Sequence, residues 1–331
     1  VAMYRHRQHQ LGTIAFLLAI LMLPAHRVLA ATSITIAVAQ QPSSALMHIA
    51  LNQDFFAEEG LNITIKTYPS GKRALIDGLF KGEADYATSA EVPVVFNAFS
   101  RNDFRIIAAI NYLDNINRVI ARRDAGILNA EDLRGKRVAT QKASAVHYFL
   151  YLFLVKHGML EEDVALSYMK AEQLPEALAK GDIDAFSMRE PYISKARSLL
   201  QGKVSIFAEP GLFPQFDVLV ASERMVNNRH VTQSILKALI KAERFALEHP
   251  RQAITAVSAM TGVAREDIER LWPDFNLKVR LGQSLLLALE SEVNWVLDSK
   301  LIAHDDIPDM LQLIEAAPLK ALSPDSVSFI H

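Results

Sequence analysis

Cysteine is absent from the 331 residues of the chain. This absence excludes thiol catalysis, disulfide frameworks, iron–sulfur clusters and a lipid-modified N-terminal cysteine. Glycine and proline are scarce, with 13 of each, which excludes collagen-like and low-complexity architectures. Charge of one sign is not in excess either, and the formal net charge of −2 offers no reason to expect nucleic acid as a partner. The rest is an ordinary globular composition, 50% hydrophobic and 8% aromatic, long enough for about two lobes.

The N-terminal stretch has the pattern of a targeting signal. Two arginines precede an apolar run over residues 11–23, and Val28 and Ala30 stand at the positions that a signal peptidase reads. A helix over that run rises about 20 Å, less than the roughly 30 Å of a bilayer core. We therefore expect residues 1–30 to be a cleaved secretion signal and the mature chain to be periplasmic. An uncleaved anchor is the alternative.

Apolar, β-branched runs alternate with helical segments along the rest of the chain. One series covers about residues 32–117 and a second about residues 122–215; a strand at 217–222 and a helical tail follow. This alternation predicts an α/β fold in which each lobe is a mixed, mostly parallel sheet flanked by helices. The predicted division is residues 31–117 plus 218–331 for lobe 1 and residues 118–217 for lobe 2, with a two-strand hinge near residues 117–122 and 214–218.

A short motif, the echo motif, occurs once in each of the two series. Residues 79–85 and 178–184 both read Leu-x-Lys-Gly-acid-x-Asp, a pattern that closes a helix with a glycine cap and enters a short strand. Alone, it indicates an ordinary helix-to-strand joint. Polar residues and a new helix follow each copy, and polar corners also follow the first strand of each series, at residues 40–44 and 141–145. Ligands of open α/β sheets bind outside such strand ends, beside helix N-termini.

Four stretches then make a family resemblance plain: ALNQDFFAEEGL at residues 50–61, GEADY at 82–86, DLRGKRVA at 132–139, and GDIDAF with EPY at 181–192. The chain resembles the periplasmic solute-binding proteins of ABC importers, in the nitrate, sulfonate, taurine and thiamine-precursor group, over essentially all of its mature length. The resemblance implies a two-lobed periplasmic binding protein type II fold that closes on a small solute. It also implies docking on a membrane permease with a cytoplasmic ATPase, and a monomeric state.

The resemblance also implies which residues contact the solute. Ser43, Ser89 and Ser144 have a simpler alternative, because serine is a common helix N-cap. The implied set comprises Gln40, Gln41, Ser43, Ser89, Glu91, Ser144, Ala145, Arg189, Phe216 and Asp217.

Arg189 gives the sharpest indication of ligand chemistry. A guanidinium at a strand end, beside a helix N-terminus, offers two parallel hydrogen bonds to an oxyanion. The alternative is a salt bridge with Glu91 or Glu190. We therefore expect a small anionic or zwitterionic solute of sulfonate, taurine or nitrate type, with Glu91 facing an amine. Pyrimidine or thiamine-precursor binding stays open, because Tyr86, Tyr112, Tyr148 and Phe216 could stack on a ring.

Enzyme functions have weaker support in the sequence. No glycine pair has Walker-loop or G-x-G-x-x-G spacing, and Phe80 stands where a hydrolase elbow between Gly78 and Gly82 needs serine. The histidines are scattered, so we expect no metal, no cofactor and no catalytic residues. A lyase-type enzyme on the same cleft remains an alternative, as does a receptor that reports to a membrane sensor.

Overall fold

A computed structural model describes residues 32–299, 301–302 and 306–329. The predicted signal segment, residues 1–30, lies outside the described residues. No helix in the described ranges has the length and apolar character to cross a membrane. The strands are β1 Thr32–Ala39, β2 Leu61–Tyr68, β3 Tyr86–Ala90, β4 Phe104–Leu113, β5 Arg118–Arg122, β6 Arg137–Thr140, β7 Ala165–Tyr168, β8 Ala185–Met188, β9 Val204–Phe207, β10 Gln215–Ser222, β11 Phe275–Asn276, β12 Leu281–Gly282 and β13 Val327–Ser328.

The helices alternate with the strands up to β8 and dominate the chain after β10. They are α1 Ala45–Asn52, α2 Phe55–Glu58, α3 Gly71–Arg73, α4 Glu91–Ala98, α5 Ala145–Lys156, α6 Leu174–Lys180, α7 Tyr192–Leu199, α8 Glu223–Val226, α9 Arg229–Glu248, α10 Pro250–Thr261, α11 Arg265–Leu271, α12 Gln283–Asp298 and α13 Ala317–Leu322.

The first sheet has six strands in the order β2-β1-β3-β10-β4-β11. β1 pairs in parallel with β2 and β3, whereas β10 runs antiparallel between β3 and β4. Ile34, Ile36 and Val38 of β1 are buried, because helices cover the sheet. The sheet is therefore mixed, as predicted, with two parallel and three antiparallel pairs of neighbouring strands.

The second sheet has five strands in the order β7-β6-β8-β5-β9, and β5 runs antiparallel between β8 and β9. The parallel pairs are β6 with β7 and β6 with β8. The chain leaves the first sheet after Leu113 and returns to it at Gln215, so it crosses between the sheets twice. These crossings lie at residues 114–117 and 208–214.

The echo motifs end at equivalent points of the two sheets. Gly82 and Gly181 both take the left-handed conformation that glycine adopts without strain, with φ of 73° and 79°. The aspartate that ends each motif then binds a backbone N–H of a neighbouring strand: Asp85 Oδ2 accepts from Thr35 of β1, and Asp184 Oδ2 accepts from Arg137 of β6, each at 2.9 Å. Each motif therefore fixes its strand beside the first strand of its series.

The helix after β3 begins later than the sequence predicts. Ser89 was expected to open it, but β3 continues to Ala90, and Ala90 is the N-cap residue. The reason is tertiary, because Ser89 pairs with Val218 and Ala90 with Asp217 of β10. The capping alternative for Ser89 is therefore wrong.

Trp295 of α12 joins helices that belong to different sheets. Its ring lies 5.6 Å from the ring of Phe96 on α4 and 4.8 Å from that of Tyr148 on α5, measured between centroids. The His147 ring of α5 lies 5.3 Å away. The indole is buried, with 4% of its surface exposed. The C-terminal part of the chain thus contributes to the contact between the sheets.

The segment after α3 is a π-helix over Ala74–Leu79. Gly78 lies on its inner face, where an added Cβ would sit 2.5 Å from Ala37 Cβ of β1 and 3.1 Å from the Tyr68 ring. Contacts this short require the helix or the strand to move. The segment can therefore approach β1 only with glycine at this position.

We expect Gly78→Ala to lower the free energy of unfolding by about 1–3 kcal/mol, the usual cost of overpacking a core. Urea denaturation measures this change. The double variant Gly78→Ala, Ala37→Gly removes the clashing methyl group, so its loss should be smaller than the sum of the two single losses. Strict additivity would contradict the proposed contact.

Candidate functional site

A narrow cavity of about 10 Å³, room for about one water molecule, lies where the strand ends of the two sheets meet. Elements of the first sheet contribute the loops after β1 and β2, the end of β3 and the start of β10. Elements of the second sheet contribute the loop after β6, the start of α5 and the end of β8. The lining residues are Gln41, Ser70, Gly71, Lys72, Ala90, Pro93, Gln141, Ser144, Ala145, Met188, Arg189 and Asp217.

Hydrogen bonds hold this cavity closed between the two halves of the molecule, each of which is one sheet with its flanking helices. Gln141 Nε2 donates to Ser70 Oγ at 3.0 Å, and the Tyr192 hydroxyl donates to the Pro69 carbonyl at 2.7 Å. Lys72 Nζ also donates to the Lys142 carbonyl. All three bonds join the corner after β2 to the second sheet, so the structure shows the two halves in contact around the cavity.

Arg189 follows β8 and is buried, with 7% of its surface exposed. Among the described residues it forms no ion pair within 4.0 Å, and its Nε has no hydrogen-bond partner. Glu190 does not neutralise it, because the Glu190 carboxylate accepts from the backbone N–H and hydroxyl of Ser194. The salt bridge considered from the sequence is therefore not formed. Burial lowers the pKa of Arg189 to about 10, which leaves the group charged at neutral pH.

Asp217 is the buried carboxyl group of the cavity. It lies on β10, and its Oδ2 accepts a hydrogen bond from Ser44 Oγ at 2.8 Å. Burial raises the pKa of Asp217 to about 7, although the Ser44 hydroxyl and the charge of Arg189 both favour the ionised form. The group can therefore gain or lose a proton near neutral pH.

Positive charge enters the cavity from both sheets. Lys72 is half-buried, and burial together with Lys142 and Arg73 lowers its pKa to about 8. Ser144 is the N-cap residue of α5, whose first N–H groups have no acceptor inside the helix. Lys72, Arg189 and this helix end together favour an anion in the cavity.

Glu91 does not line the cavity, contrary to the expectation that it faces an amine. It is fully buried, and its Oε1 accepts from the Phe216 backbone N–H at 3.0 Å. The buried carboxyl of Glu292 on α12 lies beside it, and burial raises the pKa of both groups. The charge of Glu91 raises the pKa of Glu292 further, whereas the hydrogen bond with Glu292 partly opposes the rise for Glu91. Glu91 and Glu292 together therefore retain a proton at a pH at which two exposed, isolated carboxyl groups would both be ionised.

The structure brings together half of the residues that the resemblance implied. Gln41, Ser144, Ala145, Arg189 and Asp217 line the cavity. The other five lie elsewhere: Gln40 is exposed, Ser43 lines a neighbouring small space that Arg189 also lines, Ser89 is buried in β3, Glu91 binds the β10 backbone, and Phe216 packs on Tyr112 with ring centroids 5.1 Å apart.

The sequence patterns did not indicate the corner after β2, residues 69–72. Ser70, Gly71 and Lys72 all line the cavity, as do Gln141, Ala90, Pro93 and Met188. An added Cβ on Gly71 would lie 2.9 Å from Ser89 Cα, so only glycine lets this helix start approach β3. The signal was the Ser-Gly pair directly after a strand. Across the described ranges, no three His, Asp or Glu side chains converge as a metal site.

The chain matches the family model described as NMT1/THI5 like over residues 41–253, more than half of its length. It therefore belongs to the NMT1/THI5-like family, as the motifs in its sequence indicate.

Relatives of known name extend this result. A Bacillus subtilis protein named for binding aliphatic sulfonates is 24% identical over 66% of this chain, and its Escherichia coli counterpart is 23% identical over 59%. The chain spans just under two thirds of the length of these two relatives, 66% and 61% respectively. The taurine-binding periplasmic protein of Escherichia coli is 24% identical over 73% of this chain and 77% of its own length.

Solved structures confirm the periplasmic binding protein fold. The alkanesulfonate-binding protein SsuA from Xanthomonas axonopodis pv. citri, bound to MOPS, superposes with a TM-score of 0.75 at 19% identity, covering 86% of this chain and 99% of its own. The desulfurization enzyme DSZB superposes with a TM-score of 0.60 at 16% identity, covering 88% of this chain and 98% of its own. A binding protein and an enzyme therefore share this fold.

We expect Asp217→Asn to stabilise the protein at pH 8 and to change little at pH 4. The pKa of the buried carboxyl lies above the value near 3.9 of an unfolded chain, so wild-type stability falls as pH rises from about 4 to about 7. The neutral amide avoids this loss, which is on the order of a few kcal/mol. Urea denaturation between pH 4 and 8 measures it, with the exposed Asp325→Asn as control. A stability loss in Asp217→Asn that is equal at all pH values would contradict the assignment.

Proposed function

We propose that the protein is the periplasmic solute-binding component of an ABC importer and that residues 1–30 direct its export. Its solute is a small organic anion or zwitterion of the sulfonate or taurine class, which it delivers to a membrane permease driven by a cytoplasmic ATPase. The observation that carries this proposal is the buried guanidinium of Arg189, which lines the cavity and has no ion pair within the part of the chain that the structure describes.

The physical argument is the cost of burying an unpaired charge. A guanidinium removed from water loses several kcal/mol of hydration unless an opposite charge or good acceptors replace the water. A sulfonate presents three oxygens, and two of them can accept parallel N–H bonds from one guanidinium. Lys72 and the start of α5 would add positive field on the other side. The solute therefore supplies the charge that Arg189 lacks.

Closure of two lobes explains how such a site is filled and emptied. In this proposal lobe 1 comprises residues 31–117 plus 218–331, and lobe 2 comprises residues 118–217. The chain then passes from lobe 2 back to lobe 1 within β10. Residues of both sheets line the cavity, so a bound solute stabilises the closed state relative to the open one. The permease would then recognise the closed shape.

Ring-binding solutes fit the cavity less well. No aromatic side chain of the described residues belongs to its lining. Tyr112 and Phe216, which the sequence offered for stacking, pack on each other instead. This favours the anion over a pyrimidine or a thiamine precursor.

An enzymatic role has no chemical support in the lining. The chain has no cysteine, and the Ser144 hydroxyl donates to the Gln141 carbonyl rather than to a base. We therefore propose binding without turnover. Release of sulfite or sulfinate from a bound sulfonate would instead favour an enzyme.

We expect Arg189→Ala to weaken sulfonate binding by at least about 100-fold, because removing one partner of a buried charge pair costs about 3–5 kcal/mol. Calorimetric titration with taurine, a series of alkanesulfonates, nitrate and pyrimidines measures this. The control is Arg265→Ala, which removes an exposed arginine paired with Glu269. Unchanged affinity for the best solute would refute the role of Arg189.

We expect Tyr192→Phe to weaken binding about fivefold without touching the solute. The lost bond to the Pro69 carbonyl contributes about 1 kcal/mol to the closed state, and the hydroxyl does not line the cavity. Tyr151→Phe is the control, since it also removes one hydroxyl. Equal affinities for both variants and the wild type would contradict a closing motion coupled to binding.

A further inference from the structure

Three buried carboxyl groups form a chain of neighbours that reaches Arg189 of the cavity. Asp217 and Glu91 both exert their charge on Arg189, and Glu292 lies against Glu91. We call Asp217, Glu91 and Glu292 the carboxyl cluster. All three are buried, with at most 2% of their surface exposed. The net charge next to a bound solute therefore depends on how many protons the cluster holds.

The members of the cluster have different access to the solute. Glu91 is turned away, because its Oε1 accepts from the Phe216 N–H and its other oxygen has no hydrogen-bond partner among protein groups apart from the neighbouring Glu292 carboxyl. Glu292 lies behind it on α12. Asp217 alone of the three lines the cavity, with one oxygen held by the Ser44 hydroxyl. A solute in the cavity thus meets Asp217 directly and the other two through Arg189.

We propose that the protonation state of Asp217 selects between two kinds of sulfonate. When ionised, Asp217 accepts hydrogen bonds from the ammonium group of an aminosulfonate. When protonated, it removes one negative charge from the cavity and donates its O–H, which suits a sulfonate without an amine. This inference rests on the proposed function and names the basis of its solute choice.

The reason is electrostatic. A simple sulfonate brings a second negative charge to a low-dielectric site that already holds ionised Asp217, and like charges at a few Å repel strongly there. Binding such a solute therefore takes up a proton from solvent. The ammonium of an aminosulfonate favours the carboxylate instead, so its binding takes up no proton and releases one at low pH.

Other charged groups face Asp217 from the surrounding elements. Arg189 lies on the side of the second sheet, Glu91 on α4 and Glu292 on α12, while Lys72 lines the cavity and Lys142 acts on Lys72. His48 on α1 is buried and binds the Gln41 carbonyl at 3.0 Å; burial lowers its pKa to about 4, so it stays neutral above pH 5.5. Lys72 loses its charge near pH 8, and this loss weakens the binding of both kinds of sulfonate alike.

The test compares taurine with propane-1-sulfonate, which carries a methyl group where taurine has its ammonium. Affinities are measured by titration calorimetry from pH 5.5 to 8.0, in two buffers with different heats of ionisation, so that proton uptake is counted directly. The ratio of the two affinities cancels the common effect of Lys72. We expect the ratio to shift toward taurine by up to about tenfold per pH unit. We also expect propane-1-sulfonate, and not taurine, to take up close to one proton at pH 8.0.

The variant Asp217→Asn should make this ratio independent of pH and abolish the proton uptake, and Asp325→Asn should change neither. If neither sulfonate binds the wild type, the proposed function itself is wrong. If both bind with the same pH profile, or if Asp217→Asn keeps the pH-dependent ratio, the proposed function stands and the role assigned to Asp217 is wrong.

Discussion

The arrangement of the site depends on keeping the Arg189 guanidinium in a buried place without a carboxylate at contact distance. The strand that ends at Met188 delivers Arg189 to the meeting point of the two sheets, and α7 begins almost at once. Water is largely displaced there, so the charge interacts with whatever shares the cavity over a longer range than at the surface. Asp217, Glu91 and the start of α5 act on the same small volume.

The two echo motifs place the corners that form this cavity. Each motif ends in an aspartate that ties its strand to the first strand of its series, Asp85 through Thr35 and Asp184 through Arg137. Equivalent bonds in the two sheets set β3 and β8 at equivalent depths. Ala90 and Met188, the last residues of those strands, consequently line the same cavity. A local joint between helix and strand thereby determines a feature at the other end of the strand.

Sequence patterns were sufficient for the fold and for part of the site. Alternating strands and helices, with two changes of series, predicted two mixed sheets. Polar residues after strands predicted Gln41, Ser144 and Arg189 near one another, and the family resemblance added Asp217. Tertiary contacts decided the rest. Glu91 turned away because Glu292, about 200 residues later, lies beside it, and Ser89 stayed in β3 because β10 pairs with it. The Lys72 corner depends on the close approach of Gly71 to Ser89, and the Ser-Gly pair after β2 does not by itself indicate that contact.

Trp295 has a consequence for observing this molecule in solution. The chain has two tryptophans, and the other one, Trp272, lies beside Phe275 at a ring distance of 5.7 Å. Trp295 instead touches rings from α4 and α5, which belong to different sheets. Any separation of the sheets would wet the indole on one side and remove its aromatic neighbours. The wavelength of its fluorescence emission therefore reports how far the two halves stand apart, and no attached dye is needed.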